Sequence, residues 1–584
     1  MRRAIVLLLF VLSLLVGVPA SAAVAPSGPP TSTGTGGAAA SVETLATQAA
    51  IDTLKAGGNA VDAAVAAAGV LGVTEPFSCG LGGGGFMVIR PAHGKVTTID
   101  GRETAPDAMT PTSFIDPATG TPLPFNDARW SGLSVGIPGT PATWEKALKK
   151  YGTMKLKDVL KPGIRVARDG FVVDQTFFDQ TQGALDWFND IPTTAALYLD
   201  PDGTPHDVGT TFKNPDLAHA YEVIAKHGVK ELYKGQIARA IVDTVQHPNP
   251  AATANHVWRA GVMTLDDLHD YRAIKRKPTH VNYRGLDVYS MGPPSSGGST
   301  VGEALNILEG YDLASMTRTN AFHYFLEASR YAFADRNAYL ADPEYYDVPL
   351  SGLLSKEYAD TRRALITTTA APGPVQPGDP SPYTKGQASV TATMSETTTH
   401  LTTSDKWGNV VSYTFTIEST GGSGLLVPGY GFLLNNELTD FNFDSTTHPN
   451  RVEGGKRPRS SMAPTIVLKK NKQPFLALGS PGGATIITTV LQILFDRLDE
   501  GWTLPQAIAD PRASQRNATN TGDEPAFQSS PLRTQLEALG HHFTNAGEIG
   551  AATGIEFLGG GNVLAAAEPV RRGTGSALVE NPAP

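Results

Sequence analysis

Ser41 to Val73, "SVETLATQAAIDTLKAGGNAVDAAVAAAGVLGV", constrains the fold more than any other stretch. It reads as two helices broken at Gly57–Gly58. Their alanine faces allow close approach, so they belong in a packed interior rather than on a solvated surface. The glycine run Gly82–Gly85 leads directly into the strand-like "FMVIR". A phosphate loop would need its glycines before a helix carrying a Lys-Ser/Thr pair, and neither is present, so this run is assigned to close backbone packing. With 584 residues and 41% hydrophobic content, the chain can bury a large core without staples. The single cysteine, Cys79, rules out an internal disulfide. It sits in the tight segment "PFSCGLGGGG" and reads as a buried small hydrophobe rather than a nucleophile.

A net charge of −9 with scattered Lys and Arg leaves no basic footprint for nucleic acid. Residues 1–22 have Arg2 and Arg3, an apolar core from Ala4 to Val18 and a small-residue site at Ala20-Ser21-Ala22. They read as a secretory signal peptide, because the apolar run falls short of the roughly 20 residues that span a bilayer. The expected location is therefore secreted or periplasmic. Residues 23–40, rich in Ala, Gly, Ser, Thr and Pro, are expected to be a flexible spacer, with folding beginning near Val42. Helical patterns fill much of 140–345. Ile366–Glu396 is Pro-rich without apolar period and is expected to be exposed and mobile.

After that break, "TTHLTT", the turn "SDKWGN" and "VVSYTFTIES" form a hairpin pattern. Val411, Tyr413, Phe415 and Ile417 alternate with Ser412, Thr414, Thr416 and Glu418. Alternation places Thr416 and Glu418 on one face, expected from this strand alone to be solvated. Further on, "PFLALGSPGGATIITTVLQILFDRL" combines a strand, a turn over Gly479–Gly483 and a helix. Unpaired N–H groups at that turn could cradle developing negative charge, although a plain strand-to-helix connection explains the motif equally well.

The chemistry narrows by elimination. The 13 histidines show no H-E-x-x-H or comparable spacing, so no zinc site or other cofactor is expected. The G-x-S-x-G elbow is absent as well. An internal threonine is a poor nucleophile, but a threonine at a chain N-terminus carries its own α-amine with a pKa of about 7.7–8.0, able to take the hydroxyl proton. That requires the chain to be cut immediately before it.

"TTHLTTSDKWGNVVSYTFTIES", "FLLNNELTDF", "KRPRSSMAPTIV" and "LGSPGG" resemble, in order and spacing, the small subunit of the gamma-glutamyltransferase family of self-cleaving N-terminal-nucleophile hydrolases. "GNAVDAAVAAAGVLGVTEPFSCGLGGGGFMVIR", "DGRETAP", "VGIPGTPATWE", "MGPPSSGGSTVGEALNILEGYDL" and "YAFADRNAYLADPEY" resemble its large subunit. The resemblance implies an α+β fold, a four-layer αββα sandwich built as one domain from a heavy chain, 41–397, and a light chain, 398–584. It implies cleavage between Thr397 and Thr398, Thr398 as nucleophile with Thr416 hydrogen-bonded to it, and Gly482 and Gly483 as the oxyanion hole. It further implies that Arg102, Ser460 and Ser461 hold the donor's α-carboxylate end and that Glu437, Asp440 and Glu418 hold the α-amino group. Many relatives carry Asn where Glu418 stands. The expected donors are glutathione and related γ-glutamyl compounds, with water, amino acids or peptides as acceptors. The loop between Asp440 and Ser460 is shorter than in relatives with a lid, which implies an open cleft. The rivals are a glutaryl-cephalosporin acylase of the same fold and a non-catalytic exported relative.

Overall fold

A computed structural model describes residues 30–383 and 398–583; residues 1–22 of the expected signal peptide, and Thr397, lie outside them. The two alanine-rich helices form as expected. α1 (Thr44–Lys55) is capped by the Glu43 carboxylate, which accepts from the Leu45 and Ala46 amides. α2 (Ala60–Thr74) starts with a reciprocal Asn59/Asp62 capping box, and every residue in it is buried. The approach is close enough to need glycine: a Cβ on Gly72 would stand 2.7 Å from the Tyr221 hydroxyl.

One continuous hydrogen-bonded path of strands folds into two stacked layers. In chain order the strands are β1 (Thr31–Ser41), β2 (Gly84–Arg90), β3 (Thr97–Gly101), β4 (Ile274–Arg276), β5 (Thr279–Tyr283), β6 (Leu286–Ser290), β7 (Thr399–Ser404), β8 (Val410–Thr416), β9 (Thr465–Leu468), β10 (Pro474–Gly479), β11 (Thr553–Gly559), β12 (Asn562–Ala567) and β13 (Ser576–Pro582). Their order is β4-β3-β2-β8-β7-β1-β12-β11-β10-β9-β6-β5, with β13 also on β1. One core lies between α1, α2 and the outer face of β7 and β8, through Leu401, Val411, Tyr413 and Phe415. A second lies under α3 (Gly297–Leu308), α4 (Arg318–Tyr339) and α5 (Thr485–Leu498), against Val281, Val288, Ile466, Leu476 and Leu478. The result is the expected αββα sandwich.

Three expectations change. The polar face of β8 is not solvated, because it is the seam between the sheets. Ser412 Oγ donates to the Leu478 carbonyl at 2.9 Å and accepts from the Thr465 amide at 3.1 Å. His400 joins Thr414 at 2.8 Å and Thr402 at 3.1 Å. Its ring fills the space where Gly479 lacks a side chain, with ring atoms 2.3 Å from the position of a Cβ there. Burial pushes the imidazole down to about 3, so it is neutral.

The segment 23–40 is not a spacer from Thr31 onward. β1 pairs with β7, β12 and β13, and its small residues look like linker composition because nothing larger fits. A Cβ on Gly37 would stand 2.7 Å from Leu54 and 2.8 Å from the Ser404 carbonyl. The described part of the Pro-rich stretch, 366–383, is tied down: the Ala370 amide donates to Leu539, Val375 to Asn517 and Gly378 to Asp335. Residues 384–396 of that stretch lie outside the described residues. No helix among the described residues is long and apolar enough to cross a membrane.

Candidate active site

Thr398 stands at the head of β7, buried, with its hydroxyl 3.2 Å from that of Thr416 at the end of β8. Adjacent antiparallel strands make this pair unavoidable: Phe415 lies opposite Thr399, so the next residue along each strand meets its counterpart. Strand alternation stops at Thr416. Glu418 takes a left-handed backbone, φ 79°, and its N–H turns back to donate to Thr416 Oγ1 at 2.8 Å. The expected shared face thus becomes a tight turn that orients the Thr416 hydroxyl. The Glu418 carboxylate, also buried, accepts from the Ser419 hydroxyl and the Asn436 side-chain amide.

A second group lies in the segment that follows. Arg102 is buried and pairs through one guanidinium nitrogen with Glu437 and through the other with Asp440. The same guanidinium donates to the carbonyls of Pro458 at 3.2 Å and Arg459 at 3.1 Å, which fixes the approach to Ser460 and Ser461. Ser461 Oγ accepts from Arg336 at 2.6 Å. Ser460 Oγ accepts from the Met462 amide at 3.2 Å, and its carbonyl accepts from Ser296. Burial pushes the Asp440 carboxyl up while Arg102 pulls it down. Glu103, next in the chain to Arg102, is fully buried, neither of its carboxyl oxygens has a hydrogen-bond partner among the described residues, and burial raises it to about 8.

Gly482 and Gly483 form the turn between β10 and α5, with φ of 120° and 58°, a conformation open to glycine and strained for other residues. Their carbonyls accept from Thr485 and Ile486, and among the described residues neither amide donates. Those N–H groups sit at the positive end of a 14-residue helix. Arg572 connects this turn to the nucleophile. It donates to the Thr398 carbonyl at 2.9 Å and, with Gly482, lines a cleft of about 760 Å³.

The structure therefore brings together Thr398 with Thr416, and Arg102 with Glu437 and Asp440. Glu418 joins Thr416 to Asn436, the residue before Glu437. Sequence reasoning missed Asn436, Arg336, Glu103 and Arg572. The first three lie inside motifs already singled out, "NNELTDF", "YAFADRNAYL" and "DGRETAP". Arg572, in "EPVRRGTGSA", carries no pattern that would select it.

A threonine heading a central strand of an αββα sandwich, linked through Arg572 to a glycine turn at a helix start, fits the class of N-terminal-nucleophile hydrolases. Within that class the chain belongs to the gamma-glutamyltranspeptidase family, whose model matches residues 46–578. It is similar to the glutathione hydrolase proenzyme of Bacillus subtilis (strain 168), 38% identical over 536 residues covering 90% of this chain and 88% of that one. The glutathione hydrolase proenzyme of Escherichia coli (strain K12) is also 38% identical, over 95% of this chain and 96% of that one. Among solved structures, a cephalosporin acylase from Bacillus halodurans superposes with a TM-score of 0.83 at 28% identity, covering 96% of this chain and 98% of that one.

Proposed function

We propose that this chain is a self-processing γ-glutamyltransferase and glutathione hydrolase that cuts itself at 397/398 into paired heavy and light chains. The observation that carries the reading is the joint placement of Thr398 on Thr416 and of Arg102 between two buried carboxylates. An α-amino acid head group is a zwitterion. Its carboxylate takes Arg102 while its ammonium takes Glu437 and Asp440, so each buried charge exchanges one opposite partner for another. A glutaryl group offers only the carboxylate and would strand two buried anions, which disfavours the acylase reading.

Cleavage frees the Thr398 α-amine. In the proposed cycle that amine takes the Thr398 hydroxyl proton as Oγ attacks the γ-carbonyl. The Thr416 hydroxyl, held by the Glu418 N–H, fixes the nucleophile's rotamer. The Gly482 and Gly483 N–H groups receive the negative oxygen. Collapse breaks the C–N bond, the leaving amine takes the proton back, and a γ-glutamyl ester remains on Thr398 for water or an amino acid to attack. The leader sequence supports an extracytoplasmic setting for this chemistry.

A denaturing gel tests the reading. Wild type is expected to show two chains, the smaller beginning at Thr398 by N-terminal sequencing, and Thr398→Ala one uncut chain. Release of anilide from γ-glutamyl but not glutaryl anilide then separates the transferase from the acylase. A single uncut wild-type chain would defeat the proposal, and a small chain beginning at Thr397 would move the nucleophile.

A further inference from the structure

The parts of the proposed cycle belong to two different layers of the sandwich. Thr398 and Thr416 stand on β7 and β8, whereas Gly482 and Gly483 follow β10 in the facing layer. Along the hydrogen-bonded path, β7 reaches β10 through β1, β12 and β11. So long a ladder does not fix the gap across the sandwich, and that task falls to side chains in the seam.

Two side chains act there with opposite sense. Ser412 is a tether: its hydroxyl donates to the Leu478 carbonyl at 2.9 Å and accepts from the Thr465 amide at 3.1 Å. Thr465 and Leu478 are register partners on β9 and β10, so one hydroxyl on β8 grips both strands of the facing layer. His400 is a strut. Its ring takes the place of a side chain at Gly479, the residue after Leu478, where a Cβ would stand 2.3 Å from the imidazole. Both ring nitrogens are held, Nδ1 by Thr414 Oγ1 at 2.8 Å and Nε2 by Thr402 Oγ1 at 3.1 Å, and all three side chains are buried. The ring therefore cannot swing aside. A pull at Leu478 and a stop at Gly479 define one separation, as in any close-packed interior.

Both act close to the reacting groups. His400 lies two residues from Thr398 on the same face of β7, about 7 Å along the strand. Gly479 precedes Gly482 by three residues, and the link between them is stiff. It contains Pro481, and Ser480 Oγ donates to the Pro481 carbonyl at 2.7 Å and accepts from the Ala551 amide at 3.2 Å. A shift at Gly479 is therefore carried to the Gly482 N–H instead of being absorbed.

We infer that His400 and Ser412 are positioning residues, a strut and a tether that set the distance from the Thr398 hydroxyl to the Gly482 and Gly483 amides. The inference rests on the γ-glutamyl reading above, which gives those amides their role. Both side chains are fully buried, so they act through the two layers and not on the substrate.

The test changes the length of the strut in the mature two-chain protein. Ordinary contact begins near 3.4 Å, so in Gly479→Ala the methyl lacks about 1 Å of room against the ring and the layers part. Turnover of a γ-glutamyl anilide is expected to lose about 10²-fold in kcat, the scale of a 1 Å misplacement, with KM within about twofold. His400→Asn shortens the strut and lowers kcat about tenfold by itself. Joined to Gly479→Ala it makes room for the methyl, so the double variant is expected to be about tenfold faster than Gly479→Ala. Ser412→Ala cuts the tether and lowers kcat about fivefold, the scale of one hydrogen bond. A boronate analogue of the γ-carboxyl group, tetrahedral on Thr398, is expected to lose affinity in step with kcat while glutamate keeps its own, a split that a general loss of stability does not produce. Losses that multiply in the double variant, or equal weakening of boronate and glutamate, overturn the assignment. If wild type turns over no γ-glutamyl donor, the functional reading fails while the strut is still decided by structure. Crystals of wild type and Gly479→Ala, cut or uncut, are expected to differ by about 1 Å in the Thr398-to-Gly482 separation; an unchanged separation overturns the strut.

Discussion

On one side of Thr398, Arg102, Glu437 and Asp440 are closed on one another out of solvent. On the other, Gly482, Arg516 and Arg572 line a cleft of about 760 Å³, with both arginines partly buried. The closed side pairs one guanidinium with two carboxylates out of water, so in the proposed reading a ligand gains only if it replaces both signs at once. The open side offers a cavity in which Arg572 is spent on the Thr398 carbonyl.

Arg102→Gln is the most severe way to break that contrast. It strands two buried carboxylates, expected to cost about 3–5 kcal/mol of stability and to lower kcat/KM for a γ-glutamyl anilide by about 10³-fold. Urea denaturation and steady-state kinetics read the two effects. A fall in kcat/KM of less than about tenfold would mean that the guanidinium does not hold the donor.

Gly482→Ala probes the boundary between them. A Cβ there would stand 2.7 Å from Thr485 Oγ1 and 3.2 Å from Gly550 Cα, and φ of 120° is strained for alanine. The turn must shift, and its N–H with it. The expected result is a fall in kcat of about 10²-fold with little change in KM. A change confined to KM would remove Gly482 from the oxyanion hole.

The seam under the nucleophile gives a smaller, pH-dependent effect. His400 is held near 3 when folded and returns to its ordinary value of 6.5 when unfolded. Below pH 6.5 the unfolded chain therefore binds the extra proton, and stability falls as pH drops toward 3. The slope from this group is about 1.4 kcal/mol per pH unit. Glu75, raised to about 7, and Glu103, raised to about 8, act with the opposite sign, losing stability as pH rises from 4.5. The difference in slope between wild type and His400→Asn isolates the histidine. Parallel stability curves from pH 5.5 to 6.5 would show that the imidazole is charged in the seam.

How much of this was legible in the chain varied with the kind of residue. The helices from Thr44 and Ala60 were clear, because alanine periodicity and Gly57–Gly58 act locally. The β7–β8 hairpin was clear for the same reason. Thr398, Arg102 and Asp440 emerged only jointly, through motifs in fixed order, since each alone reads as an ordinary linker, surface or turn residue. β1 was misread because a strand buried among close neighbours needs the same small residues as a linker. The solvated face assigned to β8 failed because its pattern reports two different faces without saying what covers either, and Ser412 and Thr414 meet a second sheet. Arg572 was invisible, since its partner is a backbone carbonyl 174 positions away.

Glu418 is where the two sides meet, and Glu418→Gln gives the finest test of their separation. Its backbone N–H orients Thr416, which touches the nucleophile, while its carboxylate joins Asn436 on the head-group side. Glutamine keeps the backbone bond and a side-chain acceptor but removes the negative charge. If that charge serves the donor's ammonium, KM for the donor rises about fivefold, the scale of one modest polar contact, and kcat stays within twofold. The carboxylate also opposes the burial of Arg129, which on balance lowers that guanidinium to about 10. A fall in kcat at unchanged KM would mean that the side chain acts through Thr416 on Thr398, and the head-group side would then reach no further than Asn436.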